Sequence, residues 1–265
     1  MQNLTKLINE SRKRGVTDEG ILNLIREYLQ VLILKAIYQS KYGTSLSFMG
    51  GTCLRICHDL KRYSEDLDFA LDKKIPDYSF QKLNEIISSF LKNTDFDVDV
   101  RLNEDPVVQK SFIRVSKVMH VFGLSPLKDQ KMHVKLEVDT RPVKMSNSEI
   151  ETFFVTKFNE MFPILKHSDS TLFAGKVCAV FNREYVKGRD FYDLLWYLNR
   201  KQEINLGYLN RAMQQAGVQM QFKDTKSFIE ALDKRVENVK VQDIMKDLGR
   251  FMEDPGEERV LNNYH

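Results

Sequence analysis

The chain has 265 residues, with 40 Lys and Arg against 37 Asp and Glu, for a formal net charge of +3. That length can bury a sizeable core as one large domain or two modest ones. The small positive charge does not mark a nucleic-acid binder, although it permits a local basic surface that meets phosphates. No apolar run approaches the ~18–20 residues that a membrane span needs; the longest, Leu29–Tyr38, is interrupted by Gln30 and Lys35. The first residues lack the apolar stretch of a secretion signal, so no membrane partner is expected and the expected compartment is the cytoplasm. The cysteines are Cys53, Cys57 and Cys178, too few and odd in number for a disulfide framework. Cys53 and Cys57 sit four apart beside His58, but no second ligand pair has zinc spacing, and both read as core.

In chain order, residues 4–13 and 18–41 read as helices, the second with Thr17 and Asp18 as cap candidates and Ile21, Leu24, Ile25, Tyr28, Leu29 and Leu32 at helical spacing. The stretch LSFMG is a short strand ended by glycines, followed by a helix over 52–60 and a strand in DLDFAL. Residues 78–92 are helical, 96–102, 111–118 and 131–139 alternate as strands do, and 152–167 hold a small hairpin. After Ser168 the pattern changes to successive capped helices punctuated by Gly188, Gly207 and Gly217. The reading is α/β (α+β): a mixed sheet with flanking helices over 1–170, then a helical bundle over 171–265. The tail from Glu253 reads as loosely held.

The chemistry concentrates between Phe48 and Leu71. A period of two puts Asp66 and Asp68 on one face of their strand, with Leu67 and Phe69 on the other. Two carboxylates so close repel unless a cation lies between them, and Mg²⁺ (or Mn²⁺) takes one or two carboxylates together with phosphates and waters. Upstream, Gly50-Gly51-Thr52 follows a strand and opens a helix, where backbone N–H groups approach an anion closely. Ser64 can add a hydroxyl. Singly, a Gly-Gly turn or an Asp-x-Asp pair is a common surface feature; flanking one helix, they are far more specific. A further carboxylate comes from the strand HVKLEVD, on which Lys135, Glu137 and Asp139 share a face, with Glu137 the leading third metal ligand and Asp139 the runner-up.

The stretches GGTCLRICHDLKRYSEDLDF, VKLEVDTRP and AGKVCAVFNREYVKGRDFYDLLWYL, in that order, resemble the AbiEii/AbiGii toxin family, within the nucleotidyltransferase fold of DNA polymerase β type. The resemblance spans about residues 20–200. It implies that Asp66, Asp68 and Glu137 bind metal, that Gly50, Gly51 and Thr52 lie near the triphosphate, and that Lys135 is an adjacent basic residue. In the third stretch it points to Lys176, Arg183, Arg189, Asp190 and Asp193, and leaves open which aspartate matters more. It also implies a toxin of a toxin–antitoxin or phage-defence system, with a cognate antitoxin.

On helical spacing Lys176 and Arg183 share a stripe, and Asp190 and Asp193 lie three apart on the next helix. These four can form a buried ion-pair network, or the aspartates can orient Lys176 toward nucleotide phosphates. Phe191, Tyr192, Trp196 and Tyr197 read as core rather than a stacking platform. The expected reaction is metal-dependent transfer of a nucleotide from an NTP to an acceptor, RNA such as tRNA foremost. Basic residues in LKRYSED, VKGRDF and KRVENVKVQ, with Arg55, Lys61 and Arg62 among the weaker phosphate candidates, are expected on the backbone side. The alternatives are a small-molecule nucleotidyltransferase of antibiotic-modifying type and a non-catalytic nucleotide-binding toxin.

Overall fold

The computed structural model describes residues 1–73 and 75–253; the expected looseness of the tail beyond Glu253 lies outside the described residues. The chain divides into two compact units.

The first unit comprises Met1–Asp59, Tyr63–Pro142 and Thr152–Lys166. It carries a sheet of β1 (Leu46–Met49), β2 (Asp66–Leu71), β3 (Val98–Glu104), β4 (Val108–Val115), β5 (Met132–Asp139), β6 (Ile150–Lys157) and β7 (Glu160–His167), in the order β3-β4-β5-β2-β1-β7-β6. The sheet is mixed: β2 runs parallel to β5 and antiparallel to β1, and β1 runs parallel to β7. With these strands come α1 (Gln2–Lys13), α2 (Asp18–Tyr38), α3 (Gly50–His58), α4 (Phe80–Lys92) and the short α5 (Val118–Val121).

Helix α2 begins where Thr17 caps it by accepting from the Gly20 amide at 3.2 Å. It is buried along most of its length, Glu27 and Gln30 included, so its sequence lacks a polar face. The strands alternate as predicted: Leu67, Phe69, Val134, Leu136, Val138, Ile113 and Val115 are buried, while Asp66, Asp68, Lys135, Glu137 and Lys110 on the opposite face are only half-buried. The hairpin of β6 and β7 turns through Phe158 and Asn159, both at positive φ (55° and 63°), the two-residue turn that matches strand twist.

Several boundaries differ from the sequence reading. The helix over 18–41 stops at Tyr38. The strands read at 96–102 and 111–118 lie at Val98–Glu104 and Val108–Val115, because Asp95 (φ 68°) ends the turn after α4 and Asp105 accepts from the Val107 and Val108 amides to close a tight hairpin.

The second unit comprises Leu60–Arg62, Val143–Glu151 and the chain from His167. It contains α6 (Asp169–Asn182), α7 (Gly188–Asn199), α8 (Leu206–Gln215), α9 (Thr225–Val236) and α10 (Val241–Leu248). Glu149 is buried and ties this unit together: its carboxylate accepts from Asn205 Nδ2 (2.9 Å) and the Ser146 amide (2.7 Å) and meets Arg211 (2.5 Å). These bonds hold its carboxyl below its ordinary range against the upward push of burial. Gly188 lets α7 approach α10, since a Cβ there would run into the Ile244 carbonyl. Among the described residues, no helix is long and apolar enough to cross a membrane.

Candidate active site

In the first unit the parallel register of β2 and β5 sets Asp66 opposite Lys135 and Asp68 opposite Glu137, all on one face. The antiparallel register of β4 and β5 then places Lys110 beside Glu137. Glu137 Oε1 lies 2.7 Å from Lys135 Nζ and 3.3 Å from Lys110 Nζ. Burial alone would raise the Glu137 carboxyl, but the two ammonium groups bring it below its ordinary range, so it is ionised at neutral pH. Burial likewise opposes the Lys135 charge, and Glu137, Asp66 and Asp68 together raise its pKa instead. Lys135 is therefore the cation that senses all three carboxylates.

Several contacts fix the Asp66–Asp68 strand. Gln30 Nε2 donates to the Ser64 and Glu65 carbonyls, both at 3.0 Å, and steers the chain into β2. Thr52, fully buried, donates its hydroxyl to the Asp66 carbonyl and binds the first turn of α3 to β2. The Thr52 side chain thus positions Asp66, and what it can offer a phosphate is its backbone amide. Gly50 sits at φ +80°, and a Cβ there would overlap the Asp68 carboxylate. Glycine is required on both counts. With Gly51 and Thr52 it opens α3 without a side-chain cap, the arrangement that favours an anion. Ser64 is half-buried just before β2.

Among the described residues no three His, Cys, Asp or Glu side chains close into a metal cage. The donor chemistry nonetheless suits a hard cation: Asp66 and Asp68 supply two carboxylates on one face, and Gly50 leaves room against one of them. Mg²⁺ asks for no more protein ligands than that when substrate phosphates complete its shell.

In the second unit the remaining predicted residues meet one another. Lys176 Nζ lies 2.8 Å from Asp190 Oδ1 and 2.8 Å from Asp193 Oδ2. Arg62 grips Asp193 bidentately, both contacts at 2.6 Å, and Arg183 lies 2.8 Å from Asp190. Asp193 is fully buried and Arg62 nearly so. Burial pushes the Asp190 carboxyl up, but Lys176, Arg183 and Lys187 bring it down to about 2. Burial disfavours the Lys176 charge, and Asp193 and Asp190 more than restore it. Arg189 is used locally, its backbone and side chain meeting Asp247 (3.2 and 3.4 Å) and its guanidinium lying over the Phe251 ring.

Two weaker phosphate candidates are overturned here. Arg62 is buried on Asp193, and Arg55 is buried on Glu27 at 3.0 Å with its guanidinium over Tyr63. Neither guanidinium faces solvent, because each balances a buried carboxylate. Sequence reasoning missed Lys110 and Gln30. Lys110 precedes the strand read at 111–118, and only the observed strand and its pairing place it beside Glu137.

The fold is that of nucleotidyltransferase toxins. JHP933 from Helicobacter pylori matches with a TM-score of 0.57 and 23% identity, over 90% of this chain and 86% of that one. MenT4, a nucleotidyltransferase toxin from Mycobacterium tuberculosis H37Rv, matches with a TM-score of 0.51 and 15% identity, over 97% and 96%. No curated protein sequence matches significantly. The family described as Nucleotidyl transferase AbiEii toxin, Type IV TA system, matches residues 32–263, and the chain belongs to that family. It is accordingly a nucleotidyltransferase of the toxin class, as the three sequence stretches implied.

Proposed function

We propose that the chain moves a nucleotide from an NTP to a hydroxyl of an RNA acceptor, tRNA foremost, with Mg²⁺ or Mn²⁺ as cofactor, and that a cognate antitoxin opposes it. The observation that carries the proposal is the open sheet face on which Asp66, Asp68, Lys135 and Glu137 are register neighbours, with Gly50 packed on Asp68. Asp66 and Asp68 would hold the divalent ion, with Glu137, which faces Lys135 and Lys110, the third carboxylate alongside. The bound ion supplies charge neutralisation at the α-phosphate and a lowered pKa for the acceptor hydroxyl.

The protein's own groups do the rest by position and charge. The first amides of α3, at Gly50, Gly51 and Thr52, receive phosphate oxygens. Lys135 and Lys110, which neutralise Glu137 at 2.7 and 3.3 Å, are the ammonium groups available for the triphosphate. The acceptor oxygen bonds to the α-phosphorus, the bond to pyrophosphate breaks, and the hydroxyl proton leaves to solvent or to a carboxylate of this face. Purified protein with each of the four α-labelled NTPs, Mg²⁺ and total RNA should label RNA. Failure of all four to label RNA, protein or any small molecule would end the enzymatic reading of this site.

A further inference from the structure

The same open face extends past the carboxylates into a surface with a different character. Across four strands one row of register partners reads Arg101 (β3), Phe112 (β4), Lys135 (β5) and Asp66 (β2). The adjacent row reads Asn103, Lys110, Glu137 and Asp68. Phe112 is 40% exposed, while its neighbours along β4, Ser111 and Ile113, are fully buried on the opposite face. The ring therefore lies on the solvent-facing side of the strand, where a β-branched polar residue would satisfy the strand equally well.

We propose that this face binds the acceptor as a single-stranded RNA segment, with Phe112 as the platform on which one base stacks. The proposal rests on the nucleotidyl-transfer reading only for calling that RNA the acceptor. Phe112 lies directly between two cations in register, Arg101 and Lys135, so a base on the ring brings its flanking phosphates to a basic side chain on either side. The same-face neighbours of Phe112 are all cations, Arg101 and Lys135 across the sheet and Lys110 and Arg114 along β4, while the carboxylates of the face, Asp66, Asp68, Asp99, Glu137 and Asp139, lie one step further out. An exposed aromatic ringed by basic side chains is the arrangement that takes unstacked bases; a duplex would hide the base surfaces from it. Two strand spacings, about 10 Å, separate Phe112 from Asp66, so an end stacked on the ring lies beside the carboxylate pair.

The test is fluorescence anisotropy with a fluorescein-labelled single-stranded RNA of about ten nucleotides, a length within the usual single-strand site size, without NTP. Phe112→Ala should weaken binding about tenfold, the scale of one lost base–aromatic stack, and Phe112→Trp should keep it. Arg101→Ser should reduce the slope of log affinity on log salt by about 0.7, one single-strand phosphate contact. Binding of a duplex of the same sequence should not distinguish Phe112→Ala from wild type. Equal single-strand affinity of Phe112→Ala and wild type, with a matching unfolding midpoint, overturns the proposal, as does wild type that binds no single-stranded RNA. If wild type labels RNA and Phe112→Ala labels and binds it equally well, this face falls and the enzyme reading stands. If wild type labels nothing yet Phe112→Ala loses affinity, the face stands as an RNA site and the transfer reading falls.

Discussion

Replacing Lys176 with Met tests whether the buried network of the second unit is a structural frame. Met matches the stem of Lys and removes only the ammonium, which lies 2.8 Å from both Asp190 and Asp193. Breaking a buried pair by removing one partner costs about 3–5 kcal/mol. Asp193 keeps its bidentate Arg62 and Asp190 keeps Arg183, so the lower end, about 3 kcal/mol, is expected. With a urea m-value of about 2 kcal/mol/M, the midpoint should fall by about 1.5 M. Trp196, the single tryptophan, lies on α7 in the second unit, so its fluorescence reads this unit directly.

The effect should also carry a pH signature. The Asp190 carboxyl, ordinarily at 3.8, stands at about 2 in the folded protein. A depressed carboxylate contributes stability that is present above its unfolded pKa and lost as pH falls through the folded one, here about 2 kcal/mol. The gap between wild type and Lys176→Met should therefore be full at pH 7 and narrow from about pH 4 toward 2. Salt should leave it nearly unchanged, because a buried pair is poorly screened. A midpoint shift below about 0.5 M at pH 7, or one erased by salt, would refute the reasoning.

Gly50→Ala should cost about 1–2 kcal/mol for the left-handed backbone. It should lower label transfer about a hundredfold by displacing Asp68, read by thermal unfolding beside the transfer assay; unchanged transfer would separate Gly50 from the site. Asp72 is pushed up to about 6, first by burial and then by Asp139, against the lowering bond from Ser47. A carboxyl raised in the folded state holds its proton more tightly there, so its ionisation removes stability as pH rises from 3.8 through about 6. Asp72→Asn should thus raise the unfolding temperature at pH 8 and change it little at pH 4; a fall at pH 8 would reverse the sign of that account.

The local grammar of the site was legible from residues alone. Alternation in DLDFAL and HVKLEVD placed Asp66, Asp68, Lys135 and Glu137 on polar faces, and the glycine pair marked the entry to α3. The helices after Ser168 were legible from their caps and spacing. Partnership was legible for Lys176 and Arg183 with Asp190 and Asp193, but not elsewhere. Arg62 and Asp193 lie 131 residues apart, and no periodicity reveals that they share two hydrogen bonds. The same holds for Gln30 on the chain entering β2 and for Lys110 on Glu137. Thr52 was read as a phosphate neighbour because of its place after two glycines, yet its hydroxyl is spent on the Asp66 carbonyl. Strand register, set by tertiary pairing, decides these matters.

The central claim is that Asp66 and Asp68 carry the transfer. The most direct measurement is label transfer from the preferred NTP to RNA by wild type, Asp66→Ala and Asp68→Ala, each checked for an intact fold by its unfolding curve. The account predicts transfer by wild type and its loss in both variants while the folded state persists. Transfer that survives in either folded variant would contradict it.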